Sequence, residues 1–202
     1  MIKKIKLVFF HPYSYLGGAD NSLRRLIENL DLKKYSITFL SLNKSYLRKI
    51  LDKKIEFKQL KANRTLFAVS EVKKILNKFS RNKNYKKIIL ISNQNFANII
   101  ASFCVEENSQ IKTIFIDRNH LDELSFYKGN LDKIKKNIIK ILIKFRYQKA
   151  DRVIGICKKL SNDLQNYTNK KVYTIYSPSY DKKIIKKSKV KINLDKKYKY
   201  IL

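Results

Sequence analysis

The feature that most constrains this chain is the alternation of short apolar runs with stretches whose apolar residues recur at helical spacing. Ile5 to Phe10 is a short run that ends at His11-Pro12 and reads as a buried strand. After a loop at 11–19, Asp20 is placed to cap a helix running to about Leu30, with Leu23, Leu26, Ile27 and Leu30 on one face. Strands are expected at Ser36–Leu42, Ile55–Leu60, Lys87–Ser92, Ile111–Ile116, Arg152–Ile156 and Val172–Tyr176. Between them fall helical patterns at 44–52, Val69–Phe79, Phe96–Val105, Leu131–Lys149 and Lys158–Tyr167. Strands apolar on both sides belong to a parallel sheet covered by helices on both faces. The expected fold is therefore α/β, a doubly wound and mostly parallel sheet.

Such sheets bind ligands beyond the carboxyl ends of their strands, where strand order reverses. The loops that matter are then 11–19, 92–95, 117–130 and 156–158. Two of the four glycines, Gly17 and Gly18, stand together in the first of these, just before a helix. Backbone without a Cβ lets a ligand come close, and a helix N-terminus favours an anion. The alternative is a tight turn with no ligand. His11 and Asn93 end two of the strands. Asp117-Arg118-Asn119-His120 follows a third. Arg118 is suited to phosphate, and His120 to a sugar hydroxyl or a proton transfer; an ordinary surface histidine is the other reading. Neither a G-x-G-x-x-G fingerprint nor a P-loop is present.

Charge and cysteines narrow the classes further. Lys and Arg total 46 against 16 Asp and Glu, a formal net charge of +30. Only 8 of the cations are Arg, whereas readers of nucleic acid lean on its bidentate fork. The excess is explained either by composition alone or by attraction to an anionic surface. In the helix at 131–149, Leu131, Ile134, Ile138, Ile141, Leu142 and Phe145 share a face, and Lys133, Lys136, Lys140 and Lys144 lie on another. The first face is expected to meet the core; a basic face against anionic lipid is the alternative. Cys104 and Cys157 are far apart with no ligand spacing, which speaks against a disulfide scaffold or a zinc site. No apolar stretch is long enough to span a bilayer. The expected location is the cytoplasm, at most peripheral on the inner face of the plasma membrane.

Three stretches together resemble a known family. They are Gly17-Gly18-Ala19 with its Leu-rich helix, Ala150-Asp151-Arg152-Val153-Ile154-Gly155-Ile156 followed by Lys158–Leu164, and Val172-Tyr173-Thr174-Ile175-Tyr176-Ser177-Pro178. In order, over about residues 5–178, they look like the N-terminal half of a family 4 glycosyltransferase of the GT-B fold. The resemblance implies two Rossmann-like domains facing a cleft. The N-terminal one chiefly holds the acceptor and the C-terminal one the nucleotide-sugar, and transfer retains configuration. No metal and no other cofactor is implied. Gly17 and Gly18 match the glycine loop that approaches the donor phosphate. Arg118 and His120 match the polar residues after the fifth strand, and His120 stands closest to the family's catalytic-site histidine. The family often has Ser where Cys157 stands and Asn-Pro where Ser177-Pro178 stands. Its paired donor-gripping glutamates have no counterpart, since the last Glu is Glu123.

Residues 1–178 are thus expected to form the Rossmann-like domain. Residues 179–202 are expected to be a basic linker and the first strand of a second, donor-binding domain; a frayed tail adding an edge strand is the alternative. The expected partners are a nucleotide-sugar, held mostly by that second domain, a glycan or lipid-linked acceptor in cell-surface glycan or glycolipid synthesis, and an anionic membrane surface. The chain alone is expected to be inactive. A basic nucleic-acid-binding module is the competing reading, although no such motif appears and no nucleic acid partner is expected. A metal-free hydrolase on a similar sheet would need a G-x-S-x-G elbow, which is absent.

Overall fold

The structure is a computed structural model, which describes residues 3–15, 17–105 and 110–178. Seven parallel strands form one sheet, with burial of both sides most complete in the central ones and the edge strands β3 and β7 only partly covered. They are β1 (Lys4–Phe10), β2 (Tyr35–Ser41), β3 (Glu56–Gln59), β4 (Tyr85–Asn93), β5 (Ile111–Asp117), β6 (Arg152–Gly155) and β7 (Val172–Thr174). Their order is β3-β2-β1-β4-β5-β6-β7. The order reverses between β1 and β4, the position at which doubly wound sheets open a crevice at their carboxyl edge. Register pairs Phe9 with Phe39 on one side and with Ile91 on the other.

Five helices cover the sheet: α1 (Gly18–Glu28), α2 (Val69–Ser80), α3 (Asn95–Cys104), α4 (Asn130–Arg146) and α5 (Lys158–Thr168). Two apolar cores result. Leu23 and Ile27 of α1 join Leu7, Phe9, Ile37 and Phe39 in one. Val72, Leu76, Ile100, Ile139, Ile143 and Leu160 of the other four helices join Val8, Phe10, Leu90 and Phe115 in the other. Helices therefore lie on both faces, as the alternation of elements requires. Gly155, which ends β6, is needed for close approach: a Cβ there would sit 2.5 Å from the Ser161 hydroxyl and 3.0 Å from its backbone nitrogen. This lets the first turn of α5 press against the strand end.

Four expectations change. The pattern at 44–52 yields only a 3₁₀ turn, Tyr46–Lys49, with Ser45 accepting from the Leu47 amide. Asp20 does not stand before α1 but in its first turn. Gly17 has no side chain to cap with, so Asp20 reaches back to the Gly17 and Tyr15 amides. β7 stops at Thr174, as befits a short edge strand. The largest change is in α4. Leu131, Ile134, Ile138, Ile141 and Phe145 point to solvent, and Ile139 and Ile143 are buried instead. Residues 179–202, and the expectations for them, lie outside the described residues.

Candidate functional site

The loops after β1, β4 and β5 meet at the carboxyl edge because their strands are neighbours in the sheet. A hydrogen-bonded chain joins them. Asp20 and His11 Nε2 are 3.2 Å apart, His11 Nδ1 and the Asn93 amide nitrogen 3.2 Å, and Arg118 Nε donates to Asn93 Oδ1 at 2.6 Å. Arg118 reaches onward to the Ser177 hydroxyl at 2.9 Å. The directions are mutually determined. Asn93 offers its oxygen to Arg118, so its NH₂ faces His11, whose Nδ1 must accept. His11 is then the Nε2–H tautomer and donates to Asp20. Burial pushes the Asp20 carboxyl up, but hydrogen bonds from His11, Ser14 and Gly17 outweigh it and bring it down to about 2. Burial lowers the pKa of Arg118, and the Asp20 charge opposes that.

The chain of contacts holds Arg118 against a cavity of about 380 Å³ lined by Gly18, Ala19, Arg25, Gln94, Arg118 and Ser177, among others. α1 begins at this cavity, so the amides that a helix leaves without intrahelical partners in its first turn stand beside two arginines. Among the described residues no glycine lies in the left-handed region, and a Cβ at Gly17 or Gly18 would meet nothing within 4 Å. Neither the backbone nor packing within the protein calls for glycine there. The space in front of them is open to a ligand.

A second buried network supports the same loop. The Tyr147 hydroxyl donates to Asp117 at 2.7 Å and accepts from Asn98, whose oxygen in turn accepts from Ser92 at 2.6 Å. Asp117 also accepts from the Arg118 amide. Burial pushes its carboxyl up to about 6, against the pull of Tyr147 and of the Arg118 and Asn119 amides.

The sequence candidates are thus distributed unevenly. Gly18 and Arg118 line the cavity. His11 and Asn93 are 2% and 1% exposed, and their side chains hydrogen-bond Asp20, Arg118 and each other. They position Arg118 from behind. His120 follows the same strand edge, but its Nδ1 lies 3.3 Å from Asp163 of α5 and 3.7 Å from Asp122. Those two carboxylates line a neighbouring groove with Lys159 and Tyr167, and His120 lines neither that groove nor the cavity beside Arg118. Sequence reasoning missed Gln94 and Arg25. Gln94 is a non-glycine residue at φ 80, a strained conformation, and it lines the cavity where Asn93 turns inward. Arg25 donates to the Pro178 carbonyl at 2.8 Å; only the return of the chain after β7 reveals its place. A larger cavity, about 650 Å³, opens beside Lys4, Tyr35 and Tyr85 at the starts of β1, β2 and β4. That is the amino edge, where sheets of this kind do not bind their ligands. Burial raises the Cys104 thiol to about 12, which removes it as a nucleophile at neutral pH. No helix among the described residues is long and apolar enough to cross a membrane.

No protein-family model matches this sequence, and no curated protein matches it. Solved structures do match in fold. HepE from Anabaena, in complex with UDP and glucose, is 13% identical with a TM-score of 0.57 over 93% of this chain. A transferase from Siraitia grosvenorii in complex with UDP is 12% identical, with a TM-score of 0.56 over 92% of this chain. UGT2 of Phytolacca americana, complexed with UDP-2fluoro-glucose and pterostilbene, is 10% identical with a TM-score of 0.57 over 90% of this chain. This chain covers 49%, 54% and 55% of those chains, about half their length. The fold is that of one half of a GT-B glycosyltransferase.

Proposed function

We propose that this chain is the acceptor-side half of a nucleotide-sugar-dependent glycosyltransferase of the family 4 type, working with a second, donor-binding domain. The observation that carries the reading is the open space before Gly17 and Gly18, beside Arg118 and Arg25, at the point where strand order reverses. Its chemistry suits a diphosphate: amides of a helix start and two guanidinium groups stabilise the negative charge that grows on the leaving nucleotide. The three structural neighbours, each in complex with UDP or a UDP-sugar, favour a uridine nucleotide.

In this reading the described domain supplies one wall of a cleft. Arg118 holds the phosphates and is itself held by Asn93, His11 and Asp20. His120, on the same edge and with its Nδ1 3.3 Å from Asp163, serves the acceptor hydroxyl. Transfer retains configuration, needs no metal, and extends a glycan or lipid-linked acceptor destined for the cell surface. Positioning of two substrates contributes roughly 7–11 kcal/mol to such a reaction, so the domain alone binds ligands without ordinary turnover. Nitrogen-15 chemical-shift mapping with UDP-glucose tests the site. The expected result is movement of the Gly17, Gly18, Gln94 and Arg118 amides in the parent chain, lost in Arg118→Ala. Shifts confined to the amino edge, or none at millimolar ligand, refute the reading.

A further inference from the structure

We propose that the outer face of α4 docks on an anionic lipid bilayer. This inference goes beyond sugar transfer and does not rest on it. α4 has two apolar faces. Ile139 and Ile143 are buried in the core beneath the sheet. Leu131, Ile134, Ile138, Ile141 and Phe145 are 84%, 57%, 52%, 55% and 64% exposed. At about 100° per residue, the centres of these two groups lie about 140° apart, a little over a third of a turn. The outer group recurs at alternating intervals of three and four, so it forms one continuous stripe along the helix. Phe126, 74% exposed, and Tyr127 precede the helix, with Tyr127 under the Lys133 ammonium rather than on the stripe. Seventeen residues give a stripe roughly 25 Å long. A contiguous apolar surface of this size on a soluble face marks an interaction site.

The charge identifies the occupant. α4 carries Lys133, Lys135, Lys136, Lys140, Lys144 and Arg146 against Asp132 alone. Lys133 and Lys144 flank the stripe on one side and Lys135 on the other. A second copy of the chain would bring these flanks against their equals. The chain's own residues 179–202 hold nine Lys and two Asp, and they would be repelled too. The surplus is spread over the whole chain, which carries +30, and an extended positive field is complemented by an extended anionic sheet. Lys stems lie along apolar surface while their ammonium groups reach outward to lipid headgroups.

The test is flotation of the 202-residue chain with vesicles of phosphatidylcholine alone or mixed with phosphatidylglycerol. The chain should float with the anionic vesicles, less so as salt rises, and not with the neutral ones. Ile138→Glu combined with Ile141→Glu should lower partitioning on the order of 100-fold. Lys133→Gln with Lys144→Gln should lower it about 25-fold, near fivefold per charge. The chain has no tryptophan, so Ile138→Trp supplies a single reporter whose emission should move to the blue on anionic vesicles. The proposal is overturned if neither pair of substitutions changes flotation, if neutral vesicles bind equally well, or if the reporter does not move. It is also overturned if light scattering finds a dimer that the two Glu substitutions dissolve while vesicles leave the chain unbound, since a second copy would then be the occupant.

Discussion

Asp117 should make this fold lose stability as pH rises from about 4 to about 6. Its carboxyl is completely enclosed at the end of β5, and burial raises it from 3.8 to about 6 although Tyr147 and two backbone amides favour the charge. Between those values the native state keeps a proton that the unfolded chain has already released. Stability then falls with pH, because the unfolded state binds fewer protons than the native state. The difference is about two units, which corresponds to about 3 kcal/mol in total, complete once pH exceeds the folded value. Below pH 4 the group contributes no slope. The perturbation is Asp117→Asn, which cannot ionise. The amide turns an NH₂ toward one of the groups that now donate to Asp117, and this costs about 1–3 kcal/mol at every pH. A constant offset leaves the slope untouched, so the slope is the quantity to compare. Urea unfolding followed by far-ultraviolet circular dichroism at pH 4, 5, 6 and 7 gives both profiles. The parent chain should decline across the window by about 3 kcal/mol more than the variant, since all other groups are common to both. Parallel profiles would show that Asp117 titrates as an ordinary carboxylate and refute the reasoning.

Three further outcomes are expected. Gly18→Val should leave the urea midpoint unchanged, since its Cβ enters open space, and should weaken UDP-glucose binding at least tenfold; a folding defect would contradict the open-site reading. Gly155→Ala should do the reverse, costing about 1–3 kcal/mol because the added methyl meets Ser161, and a neutral result would show that α5 shifts freely. Asp20, held at about 2 rather than 3.8, contributes roughly 2.5 kcal/mol that is present above pH 4 and lost as pH falls toward 2; Asp20→Asn should flatten that acid limb, and an unchanged limb would exclude the His11–Asp20 contact as its source.

Much of the candidate site was legible in the sequence because it rests on chain order. A short apolar run bounded by turn residues reads as a covered strand, and in a doubly wound sheet a ligand then sits beyond its carboxyl end. That logic located Gly17–Gly18 and Arg118 without knowing any neighbour. It could not separate Asn93 from Gln94. Adjacent residues at a strand end point opposite ways, and only the positive φ of Gln94 decides which one meets the cavity. Nor could it place His120 beside Asp163, which is far along the chain and comes within 3.3 Å of its Nδ1 only when α5 packs beside the turn after β5.

α4 marks the division between the two kinds of information. Its sequence determined that Leu131, Ile134, Ile138, Ile141 and Phe145 share one stripe, because helical periodicity sets the angles between side chains. It did not determine which way that stripe turns. Ile139 and Ile143 also make an apolar face, and rotation about the helix axis is free until something packs against it. The sheet and its neighbouring helices decided the matter by enclosing Ile139 and Ile143, together with Tyr147 just beyond the helix, over Phe115. Periodicity is a local property of the chain, whereas the rotation of a helix is set by the surface that covers it.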